Sequence, residues 1–281
     1  MRLVDLITRC DRLAQGCKQT ARVASNAIGI RRGAAVERHL HAAHPLSIPQ
    51  GCIGQDTNGS VSRCVDLKAI LHAMPSRQYH EAIWEGVPEG SQPADFALRS
   101  RFLLDRVRAG ERVLDVGCAE GRFTAELARA GADVVGIDVA EEPLRRARIH
   151  HPGLDVRLVA DEGPWDLDDA SFDVVWAGEV LEHLLDTAAW LSEVRRVLRS
   201  GGSLLVSTPA HGPLTLARLA LSKRAFAAHF DPRGDHLRFY SREMLTQLLG
   251  EFGFQEIRVR SCGGHPFARR LLLAHATRAR F

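Results

Sequence analysis

Glu179, Glu182 and His183 stand together in the segment GEVLEHL (178–184). Two carboxylates and an imidazole spaced i, i+3 and i+4 share one face if the segment is helical, which is the expectation here. Such a face offers two kinds of chemistry. His183 can act as a general base on a hydroxyl proton, with Glu179 and Glu182 beside it. Alternatively, the three side chains can ligate a divalent cation that lowers the pKa of a bound hydroxyl. A cation needs a further ligand, and His236 in GDHLRFYS (234–241) is the candidate, with His229 behind it. The bland alternative is structural: acids favour a helix N-terminus, and His183 caps or packs.

A second group of residues is suited to binding. LDVGCAEGRF (114–123) places Gly117 and Gly121 where a strand turns into a helix. Glycine allows a tight turn and close backbone approach to a ligand, and the helix that follows starts with free N–H groups. The spacing G-x-x-x-G differs from the dinucleotide fingerprint G-x-G-x-x-G. Asp115 precedes this loop, Asp138 closes the next apolar run (DVVGIDV, 133–139), and Asp161 with Glu162 close the one after it (LDVRLVA, 154–160). An acid at the second strand end can accept from two ribose hydroxyls, and one at the third can take an adenine amino group. Facing acids repel phosphates. The fitting ligand therefore carries ribose and adenine without a pyrophosphate.

These residues need a scaffold that brings strand ends to one edge. Apolar runs at 112–117, 133–139, 154–160, 172–177 and 201–209 read as strands, and 254–261 and 269–279 as two more. Between them, 95–108, 121–131, 141–151, the stretch after 177 through Arg199, and 241–253 carry helical spacing, the last with Ser241 as N-cap. Strands alternating with helices call for a mostly parallel sheet covered on both faces. The expected fold class is therefore α/β, Rossmann-like and doubly wound, with seven strands and an antiparallel last strand. Residues 210–240 form an insert, with one amphipathic helix expected over 214–230, that overhangs the site.

VLDVGCAEGRF, VVGIDV, the acid at 161, SFDVVWAGEVLEHL and LRSGGSLLVSTP resemble the successive motifs of class I S-adenosylmethionine-dependent methyltransferases, in their quinone-biosynthesis-like form. The resemblance covers about residues 95–261 and is specific for the superfamily rather than for an acceptor. It implies S-adenosyl-L-methionine as cofactor, held by Asp115, Gly117, Cys118, Ala119, Gly121, Asp138, Val139, Asp161, Glu162 and Glu179. Ala119 stands where the family usually has glycine. E-x-x-E-H also resembles metal-binding motifs of quinone O-methyltransferases and small-RNA 3′-terminal methyltransferases. The implied reaction is methyl transfer to an oxygen of a small molecule such as a quinol, phenol, sugar or natural product. The rivals are an RNA 3′-terminal methyltransferase, a nucleotide-dependent oxidoreductase and a non-catalytic Rossmann-type binding domain.

Composition agrees. Of 281 residues, 45% are hydrophobic and 25% charged, with a net charge of +3, the ordinary globular class. No run reaches the roughly 18 apolar residues of a membrane helix, and the N-terminus lacks the apolar core of a secretory signal. Six cysteines without zinc or disulfide spacing favour a cytoplasmic setting. Residues 1–73 hold ten Lys/Arg against five Asp/Glu and no Phe, Tyr or Trp. They read as a disordered or artefactual extension, with a separate, unrecognised module and, for 1–28, an organelle transit peptide as alternatives, ahead of a methyltransferase domain at 74–281. The net negative charge from Met74 onward argues against a nucleic-acid partner.

Overall fold

Parallel strands buried on both faces must be apolar nearly throughout, and the central strands are. β1 (Arg112–Val116), β2 (Asp133–Asp138), β4 (Phe172–Gly178) and β5 (Leu198–Pro209) are rich in Val, Leu and Ile. With β3 (Asp155–Leu158), β6 (Phe254–His265) and β7 (Ala268–Arg278) they form one seven-stranded sheet of order β3-β2-β1-β4-β5-β7-β6. β7 enters antiparallel between β5 and β6, and every other pairing is parallel. The computed structural model describes residues 67–160, 163–231, 234–265 and 268–280, with side chains of the first helix described from Arg77. They fall in one compact unit, Cys64–Phe281; the other unit, Met1–Arg63, lies outside the described residues.

Helices cover both faces. On one, α5 (Thr187–Val197) and α8 (Arg242–Glu251) bury Trp190, Leu191, Val194, Leu245 and Leu249 against Leu114, Val175 and Leu204. On the other, α2 (Phe96–Leu104) and α3 (Arg122–Arg129) bury Phe102, Leu103, Phe123 and Leu127 against Val113, Val174 and Trp176. α4 (Glu141–His150) links β2 to β3. Ser241 caps α8, its side chain accepting from the Met244 N–H at 3.2 Å.

Two sequence expectations need correction. The segment after β4 is not helical: residues 181–183 form a turn, and α5 starts only at Thr187, capped by Asp186. The insert helix is two, α6 (Pro213–Leu221) and α7 (Lys223–His229). Ser222, extended at φ −132°, ends the first and caps the second through the Ala225 N–H. A further helix, α1 (Leu67–Gly86), precedes α2 and was not among the expected elements.

The order reverses direction beside β1, with β2 on one side and β4 on the other. In sheets of this kind the crevice beyond the carboxyl ends at that point is the ligand site. Register brings the ends level there: Val116 lies beside both Ile137 and Ala177, so Gly117, Asp138 and Gly178 emerge along one edge.

Candidate active site

A cavity of about 640 Å³ opens at this edge, within the usual size range for a cofactor or substrate site. Gly117, Cys118, Ala119, Asp138, Val139, Glu179 and His183 line it. The loop after β1 is wound by left-handed residues: Gly117 at φ 69°, Ala119 at φ 52° and Gly121 at φ 74°. At Gly117 glycine is needed for space as well, because a Cβ would lie 2.7 Å from the Val180 side chain. Ala119 accepts the strain without glycine's freedom, at a cost of about 1–2 kcal/mol. Asp138 compensates by tying the loop down. One carboxylate oxygen accepts from the Ala119 N–H at 2.9 Å and the other from Ala140 N–H at 3.0 Å. A carboxylate has about four acceptor sites, so lone pairs remain for hydroxyls in the cavity. Burial raises the Asp138 pKa, opposed by those backbone bonds.

Asp115 and Gly121 sit behind the loop rather than on the cavity wall. The Thr124 hydroxyl donates to Asp115 at 2.6 Å, and burial pushes this acid up to about 7. Gly121 starts α3. Asp161 and Glu162 lie outside the described residues.

E-x-x-E-H is divided by its turn. Glu179 leaves β4 at φ 60°, its N–H bonded to the Ser207 carbonyl and its carboxylate accepting from the Ser207 hydroxyl at 2.9 Å. Glu182 is fully buried, and the Thr208 hydroxyl donates to it at 2.9 Å. Its second oxygen is buried without a hydrogen-bond partner among the described residues. Burial, and after it the Glu179 carboxylate, raise the Glu182 pKa. His183 Nδ1 lies 2.9 Å from the Asp235 carbonyl, which only an N–H can satisfy, so this bond assigns the proton to Nδ1 and the lone pair to Nε2. Nε2 lies 3.9 Å from the free oxygen of Glu182. Burial lowers the His183 pKa, keeping the ring neutral at pH 7.

His236 completes this corner. One donor atom each from Glu182, His183 and His236 lies within 4.8 Å of the others, an arrangement able to hold a cation; Glu179 is outside that group. His229 instead faces His211, with Nε2 atoms 3.1 Å apart. The corner is pinned by the insert's exit, where the Leu237 and Arg238 N–H groups donate to the Glu182 carbonyl at 2.7 and 3.0 Å.

Sequence reasoning passed over Arg99. It lines the cavity, only 3% exposed, packed over the Phe123 and Trp176 rings at 4.7 and 5.7 Å. Its Nη1 donates to the Ala94 carbonyl, while its Nε is buried without a partner among the described residues. A Cβ at Gly178 would collide with the guanidinium, so the glycine makes room for it. A signal existed: Phe96, Arg99 and Leu103 are spaced i, i+3 and i+7, which puts a cation in the apolar stripe of α2. Also missed were the α1 residues His80, Ile83 and Trp84 on the cavity wall.

The family described as a methyltransferase domain matches residues 91–259, more than half of the chain. This chain belongs to it. The methyltransferase is 38% identical over 144 residues to a ubiquinone biosynthesis O-methyltransferase of Hahella chejuensis, a match covering 50% of this chain and 60% of that protein. It is 32% identical over 175 residues to one from Ralstonia nicotianae, covering 60% and 73%. The matched segment thus spans a little over half the length of the first of these relatives. A solved S-adenosylmethionine-dependent methyltransferase from Mesorhizobium loti has the same fold, with TM-score 0.53, 23% identity and coverage of 66% of this chain and 98% of that one. S-adenosylmethionine is the cofactor named for that solved protein. The residues present fit it: a cradle at Gly117 that a Cβ would fill, an acid at Asp138 for hydroxyls, and in Arg99 a buried cation with an unused donor. Among the described residues no helix is long and apolar enough to cross a membrane.

Proposed function

We propose that the enzyme transfers a methyl group to an oxygen of a small-molecule acceptor such as a quinol or phenol, in a cytoplasmic setting. The observation that carries this reading is the His183 imidazole. Its proton is held on Nδ1 by the Asp235 carbonyl, which leaves a lone pair on Nε2, and the residue lines the crevice. The bound cofactor supplies an electrophilic methyl on a sulfonium. Asp138 takes the ribose hydroxyls, and Arg99 takes the carboxylate of the amino-acid end through its unused N–H. Asp161 and Glu162 keep the adenine role that the family resemblance gives them. Alignment of acceptor and methyl then contributes most of the rate, and His183 Nε2 removes the hydroxyl proton as the bond forms.

A second reading of the same corner is favoured by the buried, unpartnered oxygen of Glu182. Glu182, His183 and His236 would hold a divalent cation, which would lower the acceptor's pKa; Glu179 is a neighbour whose charge supports the site. The insert, whose exit donates to Glu182 and brings Asp235 to the cavity, shapes the acceptor side.

The test is methyl transfer from labelled donor to a panel of quinols, phenols, sugars and a short RNA, with and without chelator. Labelled small-molecule product is expected. Labelling of RNA alone, with salt-dependent RNA binding, would replace this reading. Loss of activity on chelation, restored by magnesium, manganese or zinc, would select the cation over the unaided base.

A further inference from the structure

Residues ahead of the matched domain build one wall of the cavity. α1 ends at Gly86, before residue 91 where the match begins. Its docking is specific. Both oxygens of the Glu81 carboxylate accept from the start of α4, from Glu141 N–H at 2.6 Å and Glu142 N–H at 3.1 Å. α4 lacks a side-chain cap of its own, since Ala140 occupies that position. Glu81 therefore supplies in trans what an N-cap supplies locally. Arg146 of α4 returns the favour at the other end, donating to the carbonyls of Trp84 at 2.9 Å and Val87 at 2.8 Å. It also pairs with Glu120 of the glycine loop at 3.2 Å. Further along, Arg77 donates to the carbonyl of Val139, next to Asp138, at 3.2 Å.

Between these ties α1 lies along the crevice, with His80, Ile83 and Trp84 on its wall. His80 sits between the two functional halves. It lines the crevice together with Asp138, and its ring meets His183 edge-on at 6.2 Å. Trp84 lies towards the glycine-loop end, its ring 6.0 Å from the Arg146 guanidinium.

We propose that α1 is the outer wall of the cofactor site: His80 and Trp84 touch bound S-adenosylmethionine, and Glu81 and Arg146 are positioning residues that hold the wall closed. The inference rests on the cofactor reading of the crevice. A wall here keeps water from the sulfonium and makes the binding unit longer than the matched domain.

The experiment titrates S-adenosylhomocysteine into the full-length chain and its variants by calorimetry, and follows quenching of tryptophan fluorescence by acrylamide. Of four tryptophans, Trp165, Trp176 and Trp190 are at most 3% exposed and Trp84 is half-buried, so quenching reports chiefly on Trp84. S-adenosylhomocysteine is expected to protect it, and this protection should vanish in Trp84→Phe. His80→Ala and Trp84→Ala should each raise the Kd and the cofactor KM about tenfold, the loss of one good contact, with acceptor KM nearly unchanged. Glu81→Ala should weaken binding, and Glu81→Gln, which keeps one acceptor oxygen, should recover part of it. Wild-type affinity in both wall variants, with quenching insensitive to S-adenosylhomocysteine, would overturn the wall while leaving the cofactor reading intact. A wild type that does not bind S-adenosylhomocysteine would instead overturn the cofactor reading itself.

Discussion

The two halves of the site are built differently. On the cofactor half, Gly117, Ala119 and Asp138 stand at the ends of β1 and β2, placed by strand register and locked by bonds from the loop backbone to one carboxylate. On the acceptor half, Glu182 and His183 lie in a turn, and Asp235 and His236 come from the insert more than fifty residues later. The first half is preorganised by the sheet. The second depends on a long-range junction, the bonds from Leu237 and Arg238 to the Glu182 carbonyl. The consequence is a separation of roles: damage to the acceptor half should stop chemistry with little effect on cofactor affinity.

The largest effect should come from His183→Ala. Removing a positioned base is expected to lower turnover by about 10²–10⁴, while thermal stability changes little because the ring is partly exposed. In the wild type, burial holds the His183 pKa below the ordinary imidazole value of about 6.5. Activity should therefore hold through neutral pH and fall only on the acid side, below that value, as the base is protonated. A fall beginning near pH 8 would point to another group.

Glu182→Gln should separate stability from function. A carboxyl whose pKa is raised by folding binds its proton more tightly in the native state than in the unfolded chain. Its contribution is thus most favourable below the unfolded value of about 4.3 and is lost as pH rises through the raised native value. Glutamine removes that titration and keeps an acceptor for Thr208. At alkaline pH and with chelator present, the variant should be more stable than wild type by roughly 1–3 kcal/mol, the cost of a buried unpaired polar group, although it turns over poorly. Denaturant unfolding at pH 5 and pH 9 measures this; equal differences at both pH values would show that Glu182 does not carry the buried charge.

Ala119→Gly should be the gentlest change, on the preorganised half. Relief of the left-handed strain is offset by the entropy glycine loses on folding, and a net gain of no more than about 1 kcal/mol is expected. Unfolding midpoints would check it. A clear destabilisation would mean that the methyl group packs usefully in the loop.

How much was legible in the sequence follows the same division. Apolar runs at 112–117, 133–139 and 172–177 marked the central strands because period and punctuation are local. The Glu179, Glu182 and His183 group was legible as residues but not as geometry. Helical spacing suggested one shared face, whereas the chain leaves β4 at Glu179 with φ 60° and the turn brings Glu182 and His183, without Glu179, to His236. Arg99 and α1 escaped for a different reason. A buried cation is accepted in an apolar stripe only because Phe123, Trp176 and the Gly178 gap surround it, and none of these neighbours is adjacent in sequence. α1 is held largely by caps exchanged with α4, and such tertiary bonds leave no periodic trace.

The separation of the two halves is most directly tested by titrating S-adenosylhomocysteine into wild type, Asp138→Ala and Glu182→Ala, with turnover measured on the same samples. Asp138→Ala should lose roughly 1.5–3 kcal/mol of binding, the value of charge-assisted hydrogen bonds. Glu182→Ala should bind within a few-fold of wild type and be nearly inactive. Equal loss of affinity in both variants, or full affinity in Asp138→Ala, would contradict the account.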